Sequence, residues 1–330
     1  MFEGKSILVT GGTGSFGKAF VGHMLANYNL NRLIIFSRDE LKQFEMQQIF
    51  PNDKYPNLRY FIGDIRDESR LRMAMRGVDY VIHAAALKQV PAAEYNPFEC
   101  IKTNVIGAEN VISAAIYNNV KKVVALSTDK AANPINLYGA TKLASDKAFI
   151  SSNNLSGATG PRFCVIRYGN VMGSRGSVLP FFQKCLQEGR KSLPITDERM
   201  TRFWITLEQG VNFVIQSLEN MKGGEIFVPK IPSMKVVDIA RALAPNIDLE
   251  FVGIRPGEKL HEIMVPEDEA RNTLEFENYY VIQPAFHWWD TTSYQEKMGG
   301  SPVDDDFSYR SDKNTQWMST EELRKLVSEL

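Results

Sequence analysis

The chain has 330 residues, which at about 150 residues per domain suggests two domains. Its 38 basic and 39 acidic residues leave a formal net charge of −1, without the surplus of cations that a nucleic-acid or anionic-membrane binder needs. With 44% hydrophobic and 23% charged residues the chain can build a sizeable core, which excludes a mainly disordered protein.

Cys100, Cys164 and Cys185 are too few and too scattered for a disulfide framework or a CxxC metal pair, and read as small buried hydrophobes in a reducing compartment. Met1 to Lys5 run straight into an apolar strand without a secretory pattern, and no apolar run approaches the ~20 residues that cross a bilayer. A cytoplasmic protein is expected, with no nucleic-acid, membrane or metal partner.

Short apolar runs at 6–10, 32–37, 58–64, 80–86, 123–128 and 163–168 read as buried parallel strands. Between them, helices are expected at 16–26, 40–49, 69–75, 100–117 and 137–150. Strand and helix in alternation predict an α/β fold, a doubly wound parallel sheet of Rossmann type, with ligands outside the C-terminal strand ends. Residues 1–170 form the expected nucleotide-binding domain. From 171 to 330 glycines and prolines become frequent, and the pattern predicts a smaller α/β substrate lobe. Its boundary is soft, because the chain can cross back to the sheet. Helices are expected there at 177–188, 207–218 and 237–243, with strands near 226–228 and 251–253. Residues 287–314, with Gly299-Gly300 and Asp304-Asp305-Asp306, predict a solvated loop. Ser319 and Glu322 form a capping-box pattern before a last helix at 320–328.

Thr10-Gly11-Gly12-Thr13-Gly14-Ser15-Phe16-Gly17 follows the first strand and opens a helix, the context a dinucleotide-binding turn requires. Glycines there let backbone N–H groups approach a pyrophosphate at a positive helix N-terminus. The second strand ends in Ser37-Arg38-Asp39-Glu40-Leu41-Lys42. An NAD enzyme places a carboxylate at that strand end, and Asp39 can accept a ribose hydroxyl. Ser37, Arg38 and Lys42 would meet a 2′-phosphate, so NADP is preferred over NAD. At the third strand end, Gly63-Asp64-Ile65 offers Asp64 to an adenine amino group. At the fourth, His83 reads as a packed residue, and Ala84-Ala85-Ala86 allow close cofactor approach.

The fifth strand ends Leu126-Ser127-Thr128-Asp129-Lys130, followed by Tyr138-Gly139-Ala140-Thr141-Lys142. On a helix Tyr138 and Lys142 share one face. The Lys142 ammonium is expected to bring the phenol toward its working range and to hold nicotinamide ribose hydroxyls. The rival assignment for any such Tyr-x-x-x-Lys is purely structural.

The TGxxGxxG turn, the Ser/Thr strand end and YxxxK, in this order, resemble the extended short-chain dehydrogenase/reductase family over nearly the whole chain. Residues 84–91, 127–131, 167–171 and 200–203 sharpen the likeness. They look like those of the UDP-N-acetylglucosamine 4,6-dehydratases that invert C5 and open the pseudaminic acid pathway toward flagellin glycosylation. Capsule-related dehydratase/epimerases are similar but typically carry Met where this chain has Tyr138.

The resemblance implies roles. Tyr138 would take the C4 hydroxyl proton as hydride passes to NADP, with Lys142 and Thr128 beside it. Lys130 would remove the C5 proton, and Asp129, protonated, would help the C6 hydroxyl leave. Lys130 is then expected to be neutral at the moment it acts, favoured by burial, the positive nicotinamide and Lys142. Lys88 would reach both cofactor and sugar, and Leu126, Ser127, Ala84 and Ile65 would line the cofactor. Asn170 and Thr196 are candidates for sugar and uracil, Arg202 and Arg255 for the diphosphate, and Glu258 for a ribose hydroxyl. Each second-lobe residue also fits an ordinary surface ion pair.

His261-Glu262-Ile263-Met264-Val265 fails HExxH at its last position. Trp288-Trp289 and Tyr279-Tyr280 read as packing or interface residues, and a homo-oligomer is expected. The rival functions are a UDP-hexose 4-epimerase, which has no need of Asp129 and Lys130, and a non-catalytic NADP-sensing module, which has no need of Tyr138.

Overall fold

The computed structural model describes residues 1–286 and 291–328. The apolar runs of the first half become β1 (Ser6–Thr10), β2 (Arg32–Ser37), β3 (Leu58–Ile62), β4 (Tyr80–His83), β5 (Lys122–Leu126) and β6 (Arg162–Ile166). Between them lie α1 (Ser15–Asn27), α2 (Glu40–Ile49), α3 (Glu68–Ala74), α4 (Val90–Tyr95), α5 (Pro97–Ile101), α6 (Gly107–Tyr117) and α7 (Leu137–Ser156). All five residues of β1 are buried, as are most of β2, β4, β5 and β6. Helices cover both faces, so these strands need no polar side.

Parallel strands run in the order β3-β2-β1-β4-β5-β6. The order reverses between β1 and β4, and the crevice outside that switch point is where such sheets take their ligands. Four strands stop short of their apolar runs, at Ile62, His83, Leu126 and Ile166. The residues left over, among them Asp64, Ala84 and Thr128, turn out of the ladder into this crevice.

The helix expected at 100–117 begins earlier, at Pro97, and carries a π-turn at Lys102–Ile106. That turn presents Asn104, whose amide accepts from the Leu87 N–H (2.8 Å) and donates to the Leu87 carbonyl (2.9 Å) and Thr141 Oγ1 (3.1 Å). Asn104 thereby ties the loop after β4, with Lys88, to α7.

Past residue 170 the chain builds β7 (Asn170–Val171), α8 (Val178–Gln187), β8 (Ser192–Ile195), β9 (Thr201–Ile205), α9 (Leu207–Asn220), β10 (Ile226–Pro229), β11 (Ser233–Lys235), α10 (Val236–Leu243), β12 (Asp248–Phe251) and β13 (Ile263–Val265). There follow β14 (Thr273–Glu275), β15 (Tyr279–Ile282), α11 (Thr291–Met298), β16 (Ser301–Pro302), β17 (Tyr309–Arg310) and α12 (Thr320–Ser328). The chain does cross back: β10 pairs parallel with β6, and antiparallel β15, β14 and β16 extend the sheet. Helices α8, α10 and α12 with β8 pack a second core around Trp204 of β9, with Leu179, Phe182, Leu193, Ile195 and Ile239. Each such side chain contributes about 1.5–3 kcal/mol on burial.

The solvated loop expected at 287–314 is corrected where residues are described. Helix α11 and strands β16 and β17 occupy it, because Tyr309 is buried and donates its hydroxyl to the Ile231 carbonyl (2.9 Å), while Phe307 packs on Tyr280. Two aromatic anchors outweigh a polar composition. Trp288 and Trp289 lie outside the described residues. No described helix is long and apolar enough to cross a membrane.

Candidate active site

At the first strand end, Gly11 takes φ +65° and its N–H donates to the Phe36 carbonyl (2.9 Å). A Cβ there would stand 2.8 Å from Ala85 N, and one on Gly17 would stand 2.3 Å from Gly12 O. The turn therefore closes against β4, and α1 starts tight on the sheet. Gly14 caps α1 without a side-chain oxygen, and the first turn of α1 carries no acidic residue. Free N–H groups and the positive helix end suit a pyrophosphate, so the residues present fit a dinucleotide cofactor.

Thr13 Oγ1 meets Ser37 Oγ at 2.9 Å, locking the turn to the end of β2. Asp39 caps α2, accepting from Lys42 N at 3.0 Å while its other oxygen pairs with the Lys42 ammonium. Those bonds to Lys42 hold Asp39 below the usual carboxylate range. Arg38 remains more than half exposed beside Asp64, at 3.7 Å. Asp64 also takes Arg66 at 2.7 Å; although burial works against its charge, the Arg66 bonds keep it ionised. Arg175, which the motifs did not pick out, reaches this end from the loop after β7; its N–H donates to Ser15 Oγ at 3.3 Å.

Beyond β5, Ser127 and Thr128 diverge. Ser127 Oγ donates to Asp146 at 2.7 Å, whereas Thr128 Oγ1 bonds to Asp129 Oδ1 at 2.9 Å and is hydrogen-bonded to Tyr138. Asp146 lies one turn beyond Lys142 on α7 and is its counter-charge: burial lowers the lysine, and Asp146 opposes that. Below them, fully buried Arg167 reaches Asp146 at 3.8 Å, Glu269 at 2.8 Å and the Met264 carbonyl at 2.9 Å. His83 is buried as expected, bonded to Thr10 Oγ1 at 2.8 Å and pushed down to about 3 by burial, so it stays neutral.

Asp129, Lys130 and Ala131 form a 3₁₀ turn on which α7 begins. Lys130 Nζ lies 3.0 Å from Asp129 Oδ1, 3.3 Å from Glu262 Oε1 and 3.4 Å from Asn170 Oδ1. Burial works against the Lys130 charge, but Asp129 and Glu262 outweigh it and hold the ammonium protonated above the ordinary lysine range. This corrects the resting state: Lys130 starts as an ammonium, from which the neutral form expected at the moment it acts follows by loss of a proton, and the second carboxylate arrives from a distant segment. Asp129 is raised by burial and by Glu262, while Glu262, against its burial, is kept ionised by Lys130, Arg202 and Lys259. Tyr138 is corrected as well. Burial pushes it up to about 12, and the ammonium that pulls it back is that of Lys130, not Lys142.

The second lobe reaches the site through Asn136, the N-cap of α7, whose amide donates to the Gly257 carbonyl at 2.7 Å. This anchors the loop carrying Arg255 and Glu258, 3.9 Å apart, at the mouth. Lys259 donates to the Ala132 carbonyl at 2.6 Å. Arg202 is buried; it donates to the carbonyls of Thr201 (2.7 Å), Lys259 (3.0 Å) and Leu260 (3.2 Å) and lies 3.5 Å from Glu262. Thr196 follows β8 directly. Lys88 is lowered by burial and by the Lys130 charge, so the two ammonium groups stand near one another.

A parallel sheet in this order, with a glycine turn after β1 and a Tyr-x-x-x-Lys helix after β5, defines an extended short-chain dehydrogenase/reductase. The chain belongs to the polysaccharide biosynthesis protein family, whose model matches residues 7–284. It is 60% identical, over 99% of its length and 98% of the relative's, to a UDP-N-acetylglucosamine 4,6-dehydratase (inverting) of Campylobacter jejuni subsp. jejuni serotype O:23/36 (strain 81-176). A UDP-glucose 4-epimerase of Rickettsia canadensis (strain McKiel) is 44% identical over 86% of this chain and 84% of the relative. Among solved structures, Pen from Bacillus thuringiensis superposes with a TM-score of 0.89 at 38% identity, covering 100% of this chain and 99% of that one.

Proposed function

We propose that the protein is an NADP-dependent lyase that dehydrates UDP-N-acetylglucosamine across C5 and C6 with inversion at C5. The observation that carries this reading is the pair of buried Asp129 and half-buried Lys130, 3.0 Å apart, beside Tyr138. An epimerase, the rival among the relatives, has no use for a C5 base and a C6 acid.

NADP, when bound, accepts hydride from C4 and returns it at C6. Its pyrophosphate would rest on the turn of Gly11, Thr13, Gly14, Ser15, Phe16 and Gly17. Ser37, Arg38 and Lys42 would take the 2′-phosphate, and Asp64 and Ile65 would flank adenine. Tyr138 takes the C4 hydroxyl proton. Oxidation at C4 acidifies the C5 hydrogen, Lys130 removes it, and the C6 hydroxyl leaves as water with the Asp129 proton. Lys142 and Lys88 hold ribose and sugar hydroxyls, and Asn170, 3.4 Å from Lys130 Nζ, orients the sugar. Because the Arg202 guanidinium is occupied by carbonyls and Glu262, Arg255 is the better diphosphate cation. By resemblance the reaction opens pseudaminic acid biosynthesis. We read the enzyme as a homo-oligomer, with exposed Tyr95, Phe98 and Tyr117 on the α4–α6 side as contact residues.

Proton NMR of the protein with UDP-N-acetylglucosamine in D2O tests the reaction. A new C6 methyl signal with deuterium at C5 is expected, and the ring couplings report the C5 configuration. UDP-N-acetylgalactosamine without a methyl signal would mean an epimerase. No turnover with NADP bound would mean another nucleotide sugar or a sensing module. The cofactor is tested separately: Arg38→Ala should raise KM for NADP about ten-fold, the scale of one charge-assisted phosphate contact, and leave KM for NAD unchanged. Equal effects on both would remove Arg38 from the 2′-phosphate.

A further inference from the structure

Glu262 immediately precedes β13, and its backbone is clamped by one residue. Its N–H donates to Ser311 Oγ (2.9 Å), and its carbonyl accepts from Ser311 N (2.9 Å). Ser311 Oγ in turn meets Thr201 Oγ1 at 2.7 Å. The side chain, 2% exposed, is thus aimed from the second lobe at a turn of the first. Its Oε1 lies 3.3 Å from Lys130 Nζ and 3.5 Å from Arg202 Nε, while Oε2, like Asp129 Oδ2, is buried without a hydrogen-bond partner. A buried carboxylate oxygen without a partner is costly.

The charges facing Glu262 are Lys130 and Asp129 from the 3₁₀ turn, Arg202 from β9 and Lys259 from the loop before β13. Lys88 and Tyr138 stand behind Lys130. The Glu262 charge favours the proton-bound form of Lys130, 3.3 Å away, and of Asp129, whose burial works in the same direction. Arg202 and Lys259 favour Glu262 as the ionised member, which leaves the proton to Asp129.

We propose that Glu262 is the positioning residue of the proton-transfer pair, holding Lys130 beside Asp129 and fixing Asp129 as the acid at working pH. The inference rests on the dehydratase reading. In the step it serves, the Lys130 ammonium has first released its proton to solvent; the C5–H bond then breaks and its proton goes to Lys130 Nζ. The electron pair forms C5=C6, and the C6–O bond breaks with the Asp129 proton, releasing water.

Glu262→Gln keeps the shape and removes the charge. The pH profile of kcat/KM for C6-methyl product should then move to lower pH on both limbs, by about one unit. NADP affinity should be unchanged, and Glu262→Asp should restore the limbs to their wild-type positions. A Gln profile lying on the wild-type one, or an Asp variant displaced like Gln, would overturn the role. A second measurement needs no Glu262 variant: the infrared difference between wild type and Asp129→Asn at pH 7 should contain a protonated-carboxyl C=O band. Its absence would overturn the assignment of the proton to Asp129. The wild-type assay separates the two readings. No methyl product from wild type refutes the dehydratase, whereas wild-type turnover with an unmoved Gln profile refutes Glu262.

Discussion

Lys130→Ala is expected to abolish dehydration while leaving NADP bound. No other described amine lies against both Asp129 and Glu262, at 3.0 and 3.3 Å, so the C5 proton loses its acceptor. A positioned base contributes ~10²–10⁴-fold, and turnover should fall by that factor. The cofactor turn at residues 11–17 is on another strand end, so NADPH fluorescence titration should give the wild-type affinity. Normal turnover in this variant would remove Lys130 as the base. Its stability carries a second signature. Without the ammonium, Asp129 keeps the burial and the Glu262 charge that raise it and loses the cation that opposes them, so its folded-state pKa stands further above its unfolded one. Groups raised in this way support the fold fully below the unfolded carboxylate range and lose that support as pH rises through the folded value. The thermal-melt deficit of Lys130→Ala against wild type should therefore be larger at pH 8 than at pH 5.5; a constant deficit would mean the carboxylates are not held against solvation there.

How much of this site was visible in the sequence follows from which elements carry it. Each strand end of a parallel sheet delivers its next few residues to the same crevice, so Asp64, Ala84, Thr128, Asp129 and Asn170 could be placed before any coordinates were known. Tyr138 and Lys142 followed from helical spacing. Local patterns do not record which distant segment folds back, and Glu262 shows the consequence. In sequence it sits in a failed zinc motif; in space it faces Lys130 because β13 pairs with β17 and Ser311 clamps its backbone. The Glu262 share of the charge that keeps resting Lys130 protonated was hidden for that reason, whereas the Asp129 share is adjacent in sequence. Arg175, Asn104, Asp146 and Arg167 are of the same kind, polar residues on loops and helix faces whose partners come from elsewhere in the chain. Asn104 had one local signal, a long helix interrupted by a π-turn, but no spacing rule marks such a turn in advance. Arg202 was legible as a cation near the substrate side but not as one already engaged by three carbonyls and a carboxylate.

Gly139→Ala should disable the enzyme without touching a reacting group. Gly139 lies between Tyr138 and Lys142 in the first turn of α7, where its N–H donates to the Asn136 cap at 2.7 Å. A Cβ built on it would stand 2.2 Å from the Lys130 carbonyl oxygen and 3.1 Å from its carbonyl carbon. Both are backbone atoms, so no side-chain rotation relieves the clash; either α7 or the 129–131 turn must move. Helix α7 carries Tyr138 and Lys142, and the turn carries Asp129 and Lys130. Displacement of one against the other therefore opens the distance on which the chemistry depends. A shift of about 1 Å costs on the order of 10²-fold in rate, and overpacking of this kind costs about 1–3 kcal/mol of stability. The expected result is a folded protein with a lowered melting temperature and turnover reduced about a hundred-fold. Gly210→Ala supplies the contrast: it lies in α9, away from the site, and its Cβ would meet nothing within 4 Å. That variant should gain about 0.4–1 kcal/mol by restricting the unfolded chain, with turnover unchanged. Equal turnover in the two alanine variants would mean that α7 and the 129–131 turn tolerate separation, and would remove their contact as the element that sets Lys130 against Tyr138.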